Sequence, residues 1–187
     1  MKLAKRIFLT TTVLAAVTAG ALLSATIGQA ATPRPARADA PAALKVPAPL
    51  KVPDGNRLTD VLSAEGVQTY TCADGAWKLL EPAATLWAEG DRSHRPLALH
   101  SRGPVWVSTV DGSAVNAAAV ASSPRPGTIP ELLLRSTATR GTGVFADVSY
   151  IQRLDTHGGV APTTACTGSD QTSVHYSATY AFYKPAE

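Results

Sequence analysis

The chain has 187 residues, of which 45% are hydrophobic and 17% are charged, a composition and length that fit one globular domain with a hydrophobic core. Its formal net charge of +3 comes from three basic residues at the extreme N-terminus, and the remaining fourteen basic residues are matched by fourteen acidic ones. Without that end the chain is neutral, which excludes an electrostatic surface for nucleic acid or an anionic membrane.

The first thirty residues have the layout of a signal peptide. Lys2, Lys5 and Arg6 precede a charge-free apolar stretch over residues 7–33. Gly28 and Ala30 form the small-x-small pattern that signal peptidase requires and predict cleavage after Ala30. Ala36 and Ala38 form a second such site. The alternative is an uncleaved membrane anchor, since the stretch is about 20 residues or longer. No cysteine is available at the processed end to carry a lipid. We therefore expect an exported, secreted protein that has no membrane contact after cleavage.

Residues 31–57 are rich in proline and contain a short tandem repeat. Six prolines occur here, and Leu44–Pro47 is echoed by Leu50–Pro53. Proline fixes φ and removes a hydrogen-bond donor, so the segment is predicted to be an extended tether. Its second half is expected to lay Val46, Leu50 and Val52 against the domain. A proline-rich ligand for another protein is the alternative.

From Leu58 to the C-terminus, short runs of β-branched and aromatic residues are separated by Gly, Asp, Asn and Pro. This spacing predicts one all-β domain over residues 58–187, with little helix outside the signal peptide. A single antiparallel β-sandwich or closed barrel of about 8–10 strands is expected, since closure removes exposed edges. The predicted strands are 58–64, 67–72, 76–80, 85–88, 97–101, 105–109, 114–121, 132–139, 143–154 and 173–183.

Two of these strands have an informative side-chain pattern. In the last one, every second residue from Val174 to Phe182 is apolar or aromatic, which indicates one buried face. Leu132, Leu133 and Leu134 are consecutive, as in a strand covered on both sides or in one helical turn.

The only cysteines are Cys72 and Cys166. Two cysteines in an exported protein form a disulfide by default. Closing a loop of 94 positions would stabilise the fold by about 4 to 5 kcal/mol in the chain-entropy model. Two buried free thiols are the alternative.

Several strings occur in a distinctive order along the chain. They are Gly66–Cys72, His100 with Gly103–Trp106, Asp111–Ser113, Ile151–Thr156, Gly158–Pro162 ahead of Cys166, and Tyr176–Tyr183. In this order they resemble domain-of-unknown-function family 3455, a group of secreted bacterial and fungal proteins, over nearly the whole mature chain. The resemblance supports export and the pairing of the two cysteines, and it implies no activity or catalytic residues. The chain departs from the family pattern at Glu131, where an aromatic residue is expected, and at Ser101, where a bulkier one is expected.

The chain lacks the recognised catalytic motifs. There is no G-x-S-x-G elbow, no H-E-x-x-H, no C-x-x-C and no phosphate-binding P-loop. The four histidines are dispersed, so we expect no metal and no cofactor. Asp111 in Asp111–Ser113 is interpreted as turn chemistry.

Four residues are the candidate ligand-binding set. His100 and Trp106 flank a Gly-Pro turn, where an imidazole can transfer protons and an indole can stack on a ligand. The simpler interpretation is that Trp106 fills the core and His100 bonds a carbonyl. Arg153 and Thr156 form a second cluster with Asp155, which is equally typical of a strand end with an ion pair and a turn. Four aromatic residues are expected either to line a barrel cavity or to form its core: Trp77, Phe145, Tyr176 and Tyr180.

Three functions remain open at this point. The leading hypothesis is a monomeric, non-enzymatic binding module for a small molecule, glycan or envelope component. A second is an uncommon hydrolase or isomerase that uses His100 as general acid or base, with Asp155 or Arg153 orienting it. A third is a structural or inhibitory partner protein, which would have an exposed apolar patch instead of a pocket.

Overall fold

The structure is a computed structural model that describes residues 44–187, and it is a closed antiparallel β-barrel. Eight strands follow one another around the barrel in chain order, and the last pairs with the first. One 3-10 turn, Ala48–Leu50, precedes them. The strands are β1 Asn56–Ala73, β2 Ala76–Ala88, β3 Ala98–Ser101, β4 Val105–Ser108, β5 Ala114–Ser123, β6 Glu131–Arg140, β7 Tyr150–Gly158 and β8 Gln171–Pro185. The prediction of an all-β fold, with a closed barrel as one of its two forms, is confirmed.

The ten predicted strands become eight because two pairs of short segments are continuous strands. Gly66, which falls between the predicted strands 58–64 and 67–72, lies inside β1 opposite Ala84, and its lack of a side chain lets the two backbones approach closely. Pro82 lies inside β2 opposite Gln68, beside a bulge in the β1–β2 pairing. Glycine and proline therefore bend these two long strands around the barrel rather than ending them.

The prediction of a strand from Gly143 was wrong for its first half, because β7 begins only at Tyr150. The preceding segment is a loop whose apolar residues are nevertheless buried, with Phe145 fully inaccessible and Val148 nearly so. The Asp111 carboxylate accepts the Val144 N–H at 2.9 Å, and it also accepts the Ser113 N–H at 2.9 Å. These contacts confirm the turn chemistry of Asp111 and fix the loop that inserts Phe145 into the barrel.

Side chains of β6 and β7 alternate between two hydrophobic clusters. The larger cluster fills the barrel interior, where Leu134 and Ile151 pack with aromatic residues. The smaller one lies outside, where Leu133 and Leu154 pack against Leu50 of the 3-10 turn. The consecutive leucines of β6 are thus covered on both sides, as one of the two interpretations predicted.

The segment before β1 is anchored to the outside of the barrel, as expected for Val46, Leu50 and Val52. Leu50 is fully buried, and its carbonyl accepts a 2.6 Å hydrogen bond from the Gln152 side chain. Val46 and Val52 pack around it. The described residues include no helix with the length and apolar character that crossing a bilayer requires.

The two ends of the barrel differ. In an up-and-down barrel the β2–β3, β4–β5 and β6–β7 connections share one end, and Phe145 from the β6–β7 loop plugs the interior there. The other four connections surround the opposite end. That end carries the Cys72–Cys166 disulfide, with Cα atoms 5.7 Å apart, and a 2.5 Å hydrogen bond from the Tyr70 hydroxyl to the Gly159 carbonyl. The predicted pairing of the two cysteines is confirmed, and the glycine-rich loop lies beside Tyr70 at the same end.

Candidate functional site

A cavity of about 370 Å³ occupies the unplugged end of the barrel interior. Every strand contributes at least one residue to its wall, so it is a cup formed by the whole barrel. We call this space the barrel cup. Its lining residues are Gln68, Leu79, Leu80, Glu81, Pro82, His100, Arg102, Gly103, Pro104, Trp106, Ala119, Leu132, Leu134, Arg153 and Tyr180.

His100 and Trp106 are direct partners across the β3–β4 hairpin, and both line the barrel cup. Their rings are stacked, with centroids 4.2 Å apart and planes within 6° of parallel. Trp106 is 1% exposed and belongs to the core. The simpler interpretation of these two residues is therefore correct, and it coexists with a position in the cup wall.

The hydrogen bonding of His100 fixes its proton. Nδ1 lies 3.0 Å from the Val105 carbonyl oxygen, which can only accept, so Nδ1 carries the hydrogen and donates it. Burial lowers the pKa of His100 to about 4, against a smaller raising effect of that hydrogen bond and with a further lowering by the charge of Arg153. The ring is neutral at pH 7, and Nε2 is left as a hydrogen-bond acceptor.

Arg153 places a positive charge in the same wall. Its Nε and Nη2 donate to the Pro130 carbonyl at 3.2 and 2.8 Å. None of the ion pairs within residues 44–187 includes Arg153. Burial raises the pKa of Tyr180, and the neighbouring Arg153 opposes that rise. Arg153 thus lies half-buried in the cup wall and has no carboxylate partner in the described part of the chain.

Two buried hydrogen-bond donors in the cup wall also lack partners. They are Nε2 of Gln68 and Nε1 of Trp106, and these are the only buried side-chain nitrogens or oxygens without a hydrogen bond in the described residues. Gln68 is 2% exposed. A buried donor left unsatisfied costs about 1 to 3 kcal/mol, so each of these two groups is a donor whose acceptor is missing.

The four predicted aromatic residues divide between wall, core and surface. Tyr180 lines the cup, with its hydroxyl 3.4 Å from that of Tyr176 in the core behind it. Phe145 belongs to the core and plugs the other end. Trp77 is the exception, because it is half-buried opposite Cys72, is not in the cup lining, and donates to the Thr164 carbonyl at 3.0 Å.

Thr156 and Asp155 lie outside the cup lining. Thr156 is fully buried, and its hydroxyl donates to the Ile129 carbonyl at 2.7 Å, so it holds β7 to the chain before β6. Asp155 contacts Arg125 at 3.0 Å and His157 at 3.4 Å. The expected local ion pair therefore exists with a different cation. No hydrogen bond or ion pair links His100 to a carboxylate within residues 44–187, so the geometry expected of a His–Asp acid/base pair is not found there.

The two departures from the family pattern lie away from the cup lining. Glu131 is 7% exposed, and its carboxylate accepts from Arg125 at 3.0 Å and from the Asp155 N–H at 2.7 Å. Ser101 is exposed on the outside of the barrel. Neither difference changes the cup wall.

Sequence reasoning missed Gln68 as a wall residue. The signal was present, because Gln68 stands at an alternate position between the inward residues Ala64 and Cys72, where a polar residue is unusual. Within residues 44–187 no group of three or more His, Cys, Asp or Glu side chains is arranged to hold a metal ion.

Comparison with known proteins gives one match. A family model described as "Protein of unknown function (DUF3455)" matches residues 53–184, which include all of β1 to β7 and nearly all of β8. No curated protein and no solved structure matches the chain.

Proposed function

The chain belongs to the DUF3455 family of proteins of unknown function, and we propose that it is a non-enzymatic module that binds a small molecule in the barrel cup. An eight-stranded barrel is just wide enough to hold either its own side chains or one small ligand. In this barrel both uses occur, one at each end of the barrel axis. Phe145 fills one end, and the cup occupies the other.

The observation that carries the proposal is the wall chemistry of the cup. Its surface is mostly apolar, with a few convergent polar groups from Gln68, His100 and Arg153. Ligand sites combine an apolar lining with a small number of placed polar groups in this way. A concavity of this kind favours a binding module over a partner protein that docks through an apolar patch.

Binding can be tested by nuclear magnetic resonance with a fragment set that includes neutral, cationic and anionic compounds. The reporters are the Trp106 indole N–H and the Gln68 side-chain amide, because both are in the wall and neither has a partner within the described residues. We expect fragments that bind to shift both signals together, with the amides on the outer cluster unchanged.

Blocking the cup provides the matched control. Ala119 lines the cavity, and Ala119→Trp would fill part of it. The neighbouring Val120, at the bulge between Ala119 and Ala121, is 56% exposed and is not in the cavity lining, so Val120→Trp adds the same group where it meets solvent. We expect the first variant to lose fragment binding and the second to retain it. Fragment shifts that persist in Ala119→Trp, or a full fragment set that produces none in the wild type, would refute the proposal.

Export is part of the same proposal. The Cys72–Cys166 disulfide is typical of an oxidising compartment, and the N-terminal sequence has the layout of a signal peptide. Expression of the full chain in a secreting host, with N-terminal sequencing of the released protein, tests it. The expected first residue is Ala31, and recovery of the intact chain in the membrane fraction would contradict cleavage.

A further inference from the structure

The barrel cup has a charge and donor pattern that specifies the kind of ligand. We propose that its ligand is an organic monocarboxylate, whose carboxylate is bound by Arg153 with the Gln68 amide and the Trp106 indole N–H, and whose body lies on the apolar wall. This inference rests on the proposed binding function and deepens it. It depends on three observations: an unpaired cation, two unpaired donors and the apolar character of the remaining wall.

The first observation is the unpaired guanidinium of Arg153. The side chain is half-buried in the cup wall, and its hydrogen bonds to the Pro130 carbonyl are on the solvent-exposed side. The carbonyl of Pro130 receives two of the guanidinium N–H groups, the Tyr180 hydroxyl lies beside the guanidinium, and the remaining N–H groups are left for another acceptor. A carboxylate matches the planar donor fork of arginine and can bind it through two parallel hydrogen bonds.

The second observation is that the unsatisfied buried groups in this wall are both donors. Gln68 Nε2 and Trp106 Nε1 each need an acceptor, and neither would be satisfied by another donor. An ionised carboxylate is an acceptor only, with about four lone-pair positions on two oxygens. One such group has sufficient capacity for the guanidinium and both N–H groups.

Charge balance favours a monoanion. Arg153 is the half-buried cation of the wall, and the other two charged lining residues are Arg102 and Glu81, which have opposite signs. The net charge of the wall is therefore +1, because His100 is neutral at pH 7. A single carboxylate neutralises this charge, whereas a phosphate monoester, with about two negative charges, would leave an excess.

The remaining wall requires an organic body. Apolar side chains from β2 and β6 line the space, among them Leu80, Leu132 and Leu134. A volume of about 370 Å³ is near the lower end of the range for small-molecule sites. A bare inorganic anion would leave these leucines facing an empty or hydrated space, and an aliphatic or aromatic acid of modest size would cover them.

The test compares matched acids and amides. Phenylacetate with phenylacetamide, and octanoate with octanamide, differ in charge while the body is the same. Titrations by calorimetry are combined with the Trp106 and Gln68 resonances, and acetate and inorganic phosphate serve as bare anions. We expect each acid to bind at least tenfold more tightly than its amide and to shift the Trp106 indole proton downfield, as formation of a hydrogen bond requires.

Variants assign this preference to Arg153. Arg153→Met removes the charge and keeps an unbranched chain, and we expect the acid-to-amide preference to fall to about one. Arg135→Met is the control, because Arg135 is exposed on β6 and is not in the cup wall. If Arg153→Met does not fold, Arg153→Lys keeps the charge without the planar fork and is expected to weaken acid binding with the preference reduced.

The outcomes separate the two proposals. Amides that bind as tightly as acids would overturn the carboxylate assignment and leave the binding function intact. An acid preference that survives in Arg153→Met, or acetate or phosphate that binds as tightly as the larger acids, would also overturn it. Failure of all probes and of the wider fragment set would refute both.

Discussion

His100 makes the stability of the barrel depend on pH. Its ordinary pKa of 6.5 falls to about 4 in the folded protein, chiefly because the ring is buried. Between these values the unfolded chain binds a proton that the folded chain does not, so the free energy of unfolding rises with pH across this window. The two pKa values correspond to a loss of about 2 kcal/mol on going from pH 7 to pH 5, and about 3 kcal/mol by pH 4.

The assay is urea unfolding at a series of pH values for the wild type and for His100→Asn. An asparagine amide can still donate to the Val105 carbonyl but does not titrate, so the difference between the two proteins isolates His100. Carboxylates that titrate in both proteins cancel. His175→Asn is the control for replacing a histidine at the surface, since the side chain of His175 is 65% exposed. A difference for His100→Asn that is constant from pH 7 to pH 4 would refute the reasoning.

Three further predictions concern the parts that hold the barrel together. Reduction of the Cys72–Cys166 disulfide is expected to lower the free energy of unfolding by roughly 2 to 5 kcal/mol, measured by urea unfolding with and without reductant; an unchanged midpoint would contradict it. Leu50→Ala is expected to cost about 2 to 5 kcal/mol by the same assay, because the side chain is fully buried under β6 and β7, and a loss below about 1 kcal/mol would mean that the segment is not packed there. Gly159→Ala and Gly112→Ala share a φ of +73°, but only at Gly159 would the new Cβ come within 2.8 Å of a packed tyrosine, so Gly159→Ala is expected to lower the melting temperature more; equal losses would count against that close contact.

The architecture followed from local patterns where a strand has one face inside the barrel. The alternating pattern of β8, which runs from Gln171 to Pro185, predicted this strand correctly. β8 pairs with β1 on one side and β7 on the other, so alternate side chains face the barrel interior. The first half of the strand predicted over residues 143–154 is a loop, and the prediction was wrong there for a different reason. Phe145 and Val148 are apolar because a loop carries them into the core, and composition alone does not separate a buried loop from a buried strand.

The candidate site was predictable where the chain brings residues together locally. His100 and Trp106 face each other across one short hairpin, and the Gly103–Pro104 sequence predicts the turn of that hairpin. Thr156 was included because it is close to Arg153 in sequence. A bulge between Leu154 and His157 breaks the alternation there, and Thr156 turns towards Ile129 instead of the cup.

Gln68, by contrast, could not be assigned to the cup wall from local sequence. It becomes a wall residue only because the barrel closes. Its neighbours in the cup come from β3, β4 and β7, each distant in the chain, and no local pattern places them together. A buried amide in an inward position was a signal of an unsatisfied polar group, but its missing partner becomes visible only when all the other walls are in place.

The closing seam of the barrel sets an order of events during synthesis. β1 is made first, yet one of its edges pairs with β8, in a register that runs from Asn56 opposite Pro185 to Thr71 opposite Gln171. The disulfide likewise cannot form until Cys166, 94 residues after Cys72, has been synthesised. Until the fifteen residues of β8 emerge, a long strand edge is open to pairing with other chains, which is the condition under which β proteins aggregate. A chain that ends early within β8 therefore leaves part of that edge unpaired.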